Sequence, residues 1–533
     1  MQKQSPVWKC SLRNNKSQDH KHPKYRAIKP RPSTPQKERP MPNKPHVLLV
    51  STDHWPASLF GGVGHPAIQT PTLDQLAKNG VRFTNAYSEC PVCIPARRTL
   101  MTGTTPRTHG DRVFKESERM PNVPTLAQTF RDNGYQAYAV GKLHVYPQRD
   151  RIGFDDVILA EEGRTQFDAV DDYELFLGEQ GYPGQMFGHG MCNNDYVNRP
   201  WHLPEHCHVT NWATQNMARM IQRRDPTKPG FWFLSYCHPH PPLAPLQCYL
   251  DMYRDIDPPL PDMGEWAKLS DNLPYALKLR GLEWEDFTEY QIKSALRAFY
   301  AMCTHIDHQL RIVIGTLREE RLLEDTIILF TSDHGDMLGN HGQWAKRIFY
   351  EDSANIPMIL MGAANDNRVG HHRTDNRLVG WADIMPTLLD LAGIDIPDTV
   401  DGRSMVGDQQ RDHFYGECSE GANATRMIHN GRFKLIYYPV GNHTQLFDLE
   451  TDPRECHNLS SSTDHQDIKK QLTQTLISEL YGGDEKWVKD NDLVGLPDQT
   501  YSATPNRGLS GQRGSHWPVP PQTGQAGPPI QHT

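Results

Sequence analysis

Two Asp-His pairs, Asp53-His54 and Asp333-His334, each follow a short apolar run. A carboxylate beside an imidazole offers a hard oxygen and a nitrogen to a divalent cation, although one carboxylate at a strand end is more often a cap or turn residue. Two such pairs together favour a shared cation site. A third feature is ECPVCIPARRTLMTG, from Glu89 to Gly103, where Cys90 and Cys93 stand in C-x-x-C spacing ahead of Arg97 and Arg98. Half of a zinc site would need a second ligand pair, and the other eight of the ten cysteines form no second C-x-x-C. A thioredoxin-like pair has this spacing, with Pro95 as first helical residue and Gly103 as helix stop, but it leaves both Asp-His pairs unexplained. A phosphatase thiol loop wants an arginine six residues after the cysteine, where the chain has Thr99 (from Cys93) or Ala96 (from Cys90). A structural turn with two buried thiols is the plain alternative. What remains is C-x-P-x-R, Cys93 to Arg97.

The elements that must position these groups are legible as apolar runs. His46–Ser51, Tyr135–His144, Gly230–His240 and Asp325–Gly335 are apolar runs that lead into Asp, His or Lys at their carboxyl ends, among them Asp53, His54, Lys142, His144, His238, His240, Asp333 and His334. Val/Leu-rich runs of this length read as strands buried on both faces. Between them, Ile292, Leu296, Phe299, Cys303, Ile306, Leu310, Val313 and Leu317 trace one helix face, which leaves His305 and His308 off the stripe and expected in solvent. Arg98 is likewise expected on a helix surface. Strands alternating with helices predict an α/β fold, a mostly parallel central sheet flanked by helices, and ligands in such folds sit at the carboxyl ends of the strands. The four polar ends fall there and are expected to converge.

The domain reading follows composition: residues 1–44 a basic, Pro-rich disordered extension, 45–405 the catalytic domain, 406–496 a smaller α+β subdomain with a helix near Gln466–Leu480, and 497–533 a Pro/Gly-rich tail. Net charge is −8, divided between +10 in residues 1–44 and −18 in the remainder. So acidic a body excludes a nucleic-acid partner. No apolar run approaches a membrane span of about 18 residues, and the N-terminus lacks the apolar core of a signal peptide. A cytoplasmic location is expected, with secretion or a periplasmic site as the alternative if the start codon is misassigned. Oligomeric state is not readable.

The C-x-P-x-R unit followed by RTLMTG resembles the type I, formylglycine-dependent sulfatases of the alkaline-phosphatase superfamily. The likeness extends over about residues 45 to 480 through STDHW, PTLDQLAKNGVRFTNAYS, GYQAYAVGKLH, CHPHPP, TSDHGDMLGNHGQWAKRIFYEDSANIPMIL, DIMPTLLDLAG and LFDLETDPRECHNL. It implies an alkaline-phosphatase-like fold and sulfuric ester hydrolysis of an aryl sulfate or a sulfated sugar. It also implies that a formylglycine-generating maturation enzyme oxidises Cys93 to Cα-formylglycine. One hydroxyl of the hydrated aldehyde then attacks sulfur and the other expels sulfate as the aldehyde reforms, an exit an unmodified thiol lacks. By the same resemblance Asp53, Asp333 and His334, with His54 as ligand or neighbour, hold one divalent cation, Ca²⁺ first and Mn²⁺ or Mg²⁺ as alternatives. Arg97 holds the formylglycine hydroxyl and the carboxylates, Lys142 and Lys346 clamp sulfate oxygens, His144 orients the nucleophile, and His240 with Lys346 assists the leaving group, a role His238 could take instead. Two positions depart from the family pattern: Ile94 stands where a small residue is usual, and His54 where Asp or Gln is common. The competing expectations are a phosphonate monoester or phosphodiester hydrolase of the same superfamily, and a non-catalytic binding protein with Cys93 left as a thiol.

Overall fold

The computed structural model describes residues 44–163, 170–191, 193–268, 273–281 and 287–501. The expected N-terminal extension up to residue 43, and the Pro/Gly-rich tail from residue 502, lie outside the described residues.

Eight strands, β1 (His46–Thr52), β2 (Val81–Tyr87), β3 (Gln136–Gly141), β4 (Asp156–Leu159), β5 (Gly230–Ser235), β6 (Thr326–Ser332), β7 (Met358–Met361) and β8 (Arg373–Gly380), form one sheet in the order β4-β3-β5-β1-β6-β7-β2-β8. Every pairing is parallel except those of β7, which runs against both neighbours. The four runs expected as strands are β1, β3, β5 and β6, and they are consecutive in the sheet. Their side chains alternate between two cores. Leu48, Val50, Trp232, Leu234, Ile328 and Phe330 face one, while Val47, Leu49, Phe231, Phe233, Ile327 and Leu329 face the other. Burial on both faces is why these segments read as unbroken apolar runs, and each such side chain contributes about 2 kcal/mol.

Helix α1 (Cys93–Thr102) begins two residues earlier than expected, placing Pro95 third. The first-turn N–H groups have no helical partner, so proline is tolerated there. Gly103 ends it in a left-handed turn at φ 64°, its N–H donating to Thr99 O at 2.8 Å. Arg98 is not on the surface: its guanidinium donates to the carbonyls of Glu118 (2.9 Å) and Arg119 (2.7 Å) and lies 3.4 Å from Asp111. The loop after α1 folds back over it, which helical spacing alone does not reveal.

Helices α2 (Val209–Gln222) and α3 (Glu289–Glu319) cover one face of the sheet. The expected stripe of α3 is buried from Leu296 to Leu317, and Thr288 with Gln291 forms a capping box at its start. His305, expected in solvent, is fully buried, with Nε2 2.5 Å from Asn211 Oδ1 of α2 and its ring stacked on Tyr249. His308 is half-buried beside the same tyrosine. A helix packed against two others buries more than one stripe.

A second, antiparallel sheet of β9 (Phe414–Cys418), β10 (Thr425–His429), β11 (Phe433–Tyr438) and β12 (His443–Asp448) runs in the order β12-β11-β10-β9, and α4 (Gln466–Glu479) packs on it. Its other face meets Tyr87, Phe349 and Tyr350, and the buried Lys434 ammonium pairs with Glu351 (2.7 Å) and Glu455 (2.6 Å) across that seam. The two sheets belong to one compact unit. No described helix is long and apolar enough to cross a membrane.

Candidate active site

Asp53 follows β1, Lys142 follows β3, His240 lies five residues beyond β5, and Asp333 with His334 follows β6. Four neighbouring parallel strands thus end at one edge, and α1 brings Cys93 to it from the side. The donor atoms of Asp53, Cys93, Asp333 and His334 all lie within 4.8 Å of one another, and all four residues are buried. Cys93 Sγ is 3.3 Å from His334 Nε2 and 3.8 Å from Asp53 Oδ1.

Cations ring this cluster. Lys142 Nζ contacts Asp53 Oδ2 and lies 2.8 Å from Glu162 Oε1. Arg97 donates through Nε to Asp333 Oδ2 (3.1 Å) and through Nη1 to Ser235 Oγ and Lys142 O (2.8 Å each), while Nη2 lies 3.7 Å from Asp53. Lys346 Nζ touches His54 Nε2 and lies 3.3 Å from His240 Nε2. Burial would raise the Asp53 carboxyl, but Lys142 and the neighbouring histidines hold it well below the usual range. Burial and the Asp53 carboxylate push Asp333 up. Burial and Asp53 also oppose ionisation of Cys93, yet Lys346, Lys142 and His334 prevail and lower its thiol. The start of α1 adds partial positive charge at the same point.

The expected residues do not all stand in the same way. His54 is outside the four-donor cluster, its Nδ1 2.6 Å from Asp336 Oδ2 and its Nε2 on Lys346. His144 is buried at φ 59°, its N–H donating to Glu161 and its ring edge-on to Phe114. Of the two candidate histidines after β5, His240 faces Lys346, whereas His238 Nδ1 lies 3.4 Å from Thr210 Oγ1 and its ring packs on His208. Cys90 is buried with Sγ 3.7 Å from Arg112 O, and burial pushes its thiol well up. Sequence reasoning missed Glu161 and Glu162, which follow β4, and also Ser235, Asp336 and Tyr196. The strand order would have found the two glutamates, since β4 lies beside β3 and ends at the same edge.

Two buried carboxylates, an imidazole and a buried side chain at a helix start, converging within a few ångströms, fit a divalent cation. A pocket lined by Tyr173, Phe187, Trp201 and Val209 shares His240 and Glu162 with this cluster.

Fold and site together define an α/β enzyme with an alkaline-phosphatase-like core and a cation cluster at the carboxyl edge of its sheet. The sulfatase family profile matches residues 45–394, and the profile of the C-terminal part of N-sulphoglucosamine sulphohydrolase matches 339–480. The chain belongs to the sulfatase family and is a sulfuric ester hydrolase. It is 35% identical to an arylsulfatase of Clostridium perfringens, over 86% of this chain and 99% of that one. It is 31% identical to a choline-sulfatase of Rhizobium meliloti, over 79% and 83%. Among solved structures it resembles the phosphonate monoester hydrolase of Agrobacterium radiobacter, with a TM-score of 0.71, 24% identity and coverage of 82% and 95%.

Proposed function

We propose that the chain hydrolyses aryl sulfates through Cα-formylglycine derived from Cys93 and a divalent cation held by Asp53, Asp333 and His334. The observation that carries this reading is the placement of Cys93 Sγ among those three donors at the start of a buried helix. A bound cation would supply charge opposite the sulfate oxygens and acidify a hydroxyl beside it. The hydrated aldehyde would supply one hydroxyl to attack sulfur and a second to release sulfate. Two carboxylates suit Ca²⁺, and the His334 imidazole makes Mn²⁺ an equal candidate.

The chain's own residues do the rest. Arg97 fixes Asp333 and the ends of β3 and β5, so the carboxylate cannot swing. Lys142 neutralises Asp53 and Glu162 and faces the sulfate site. Lys346 sits between His54 and His240 and is the cation best placed to protonate the leaving oxygen, with His240 beside it. Cys93 is 1% exposed, so a maturation enzyme must reach it before folding closes the site. The pocket beyond His240 places the aromatic and apolar walls of Tyr173, Phe187, Trp201 and Val209 beside polar His189, Asn193 and His238, and the aromatic walls support an aryl ring as the group bound there.

Steady-state comparison of an aryl sulfate, a sulfated monosaccharide and an aryl phosphonate on matured enzyme tests the reading. The aryl sulfate is expected to give the highest kcat/KM. A clear preference for the phosphonate, or for the sugar, would overturn it.

A further inference from the structure

Two stretches of chain wall much of the pocket beyond His240, one from Met186 to Trp201 and one from Cys237 to Ala244. Main-chain hydrogen bonds join them: the Arg199 N–H donates to Leu243 O at 3.3 Å, and the Trp201 N–H to Pro245 O at 2.8 Å. The Arg199 guanidinium also donates to His189 O at 2.6 Å. The polar groups on these walls are therefore held in place before a ligand arrives, which lowers the ordering cost of binding one.

Asn193 stands on the first wall and is 6% exposed. Its Nδ2 donates to Glu162 O at 3.2 Å. Only an N–H can face a carbonyl there, so the sense of the amide is fixed and Oδ1 is its other end. Oδ1 is buried and has no hydrogen-bond partner among the described residues, and the same holds for the buried Nε1 of Trp201 on the same wall. Buried polar atoms are almost always paired in folded proteins, because leaving one open forfeits its bonds to water. An open acceptor and an open donor on one pocket wall therefore call for a ligand that supplies the complement. The site lies close to the chemistry, since the carboxylate of the same Glu162 is 2.8 Å from Lys142 Nζ.

The complement is chemically restricted. An ammonium group could donate to Asn193 but could not accept from the indole N–H. A carboxylate could accept from the indole but has no hydrogen for Asn193, and Glu162 on the pocket wall would repel it. A hydroxyl both donates and accepts. Tyr173 and Phe187 supply aromatic surface for the ring that carries it. We infer that Asn193, with Trp201 as the accompanying donor, selects aryl sulfates whose leaving ring bears a free hydroxyl, and that this hydroxyl donates to Asn193 Oδ1. The inference deepens the proposed function and rests on its placing of the aryl group in this pocket.

The test uses matured full-length enzyme and phenyl sulfates that carry a hydroxyl, a methyl or a methoxy group at the 3- or 4-position. The parent phenols differ little in acidity, so the leaving-group chemistry is nearly constant. Methyl matches hydroxyl in size, and methoxy keeps the oxygen without its hydrogen. The better hydroxyphenyl sulfate should exceed its methyl and methoxy counterparts by about tenfold in kcat/KM. Leucine is close to asparagine in shape and cannot accept a hydrogen bond, so in Asn193→Leu that ratio should fall to about one. The ratio is taken within one enzyme, and a general loss of activity cancels from it. If Asn193→Leu gives no folded protein, Trp201→Phe decides, with an expected fall in the ratio of about threefold. Equal rates for the hydroxyl and either counterpart in wild type, or an unchanged ratio in the deciding variant, would overturn the inference and leave the aryl sulfatase reading standing. If no aryl sulfate is turned over, or if the sugar or the phosphonate leads, that reading fails and the inference fails with it.

Discussion

Arg97 Nε lies 3.1 Å from Asp333 Oδ2, and the same guanidinium bonds Ser235 and the Lys142 carbonyl, so one side chain on α1 ties the ends of β6, β5 and β3. A lysine in its place could reach one of these partners and would leave the others buried without a donor. Arg97→Lys is expected to destabilise the fold by about 3 kcal/mol, read as a lowered urea midpoint with unchanged slope. An unchanged midpoint would mean the tie contributes nothing to stability.

Cys90 and Cys93 share a turn but not an environment, since only Cys93 faces the donor cluster. Cys93→Ala should abolish turnover, whereas Cys90→Ala should keep most of it. In active enzyme position 93 should resist thiol alkylation while Cys90 in the same peptide is alkylated, and that peptide should react with a hydrazide probe. Full alkylation at Cys93 in fully active protein would rule the aldehyde out.

Asp53 and Asp333 are drawn together at a depth where Arg97, Lys142 and the His334 imidazole must balance them. Chelation should take activity to background, and adding back Mn²⁺ or Ca²⁺ should restore it. An ion at about 100-fold over its Kd should add about 2.7 kcal/mol of stability, seen as a raised melting temperature. Asp333→Asn should weaken both responses. Full activity after exhaustive chelation would remove the cation from the mechanism.

How far the sequence reached follows from burial. The central strands β1, β3, β5 and β6 were legible because burial on both faces makes them unbroken apolar runs, and their polar ends marked the site edge. β8 was not, because it is exposed at Arg373 and Thr374 and buried only from Leu378 onward. β4 has only Val157 and Leu159 turned inward, so Glu161 and Glu162 after it carried no signal. Tyr196 and Asp336 are 140 residues apart, and no local pattern announces such a partnership. Arg98 and His305 were placed in solvent because one apolar stripe implies one buried side. Both lie where a second element covers the helix.

The last prediction concerns Glu89, which opens the turn leading to Cys93. Its carboxyl is fully buried and accepts the backbone N–H groups of Trp381 (3.2 Å) and Ala382 (3.1 Å). Burial, with the Asp383 carboxylate nearby, pushes it from 4.5 up to about 7, against the pull of those N–H groups and of Arg411. A folded pKa above the unfolded one means that the folded chain holds the proton more tightly. The stability this group contributes is therefore full below about pH 4.5 and lost as pH rises through about 7. The difference corresponds to about 3 kcal/mol between the two limits. Glutamine cannot ionise, and it keeps one of the two oxygens that accept those N–H groups. The difference in denaturation midpoint between Glu89→Gln and wild type should therefore move in the variant's favour from pH 5 to pH 8. A constant gap across that range would show that Glu89 ionises as readily in the fold as in water.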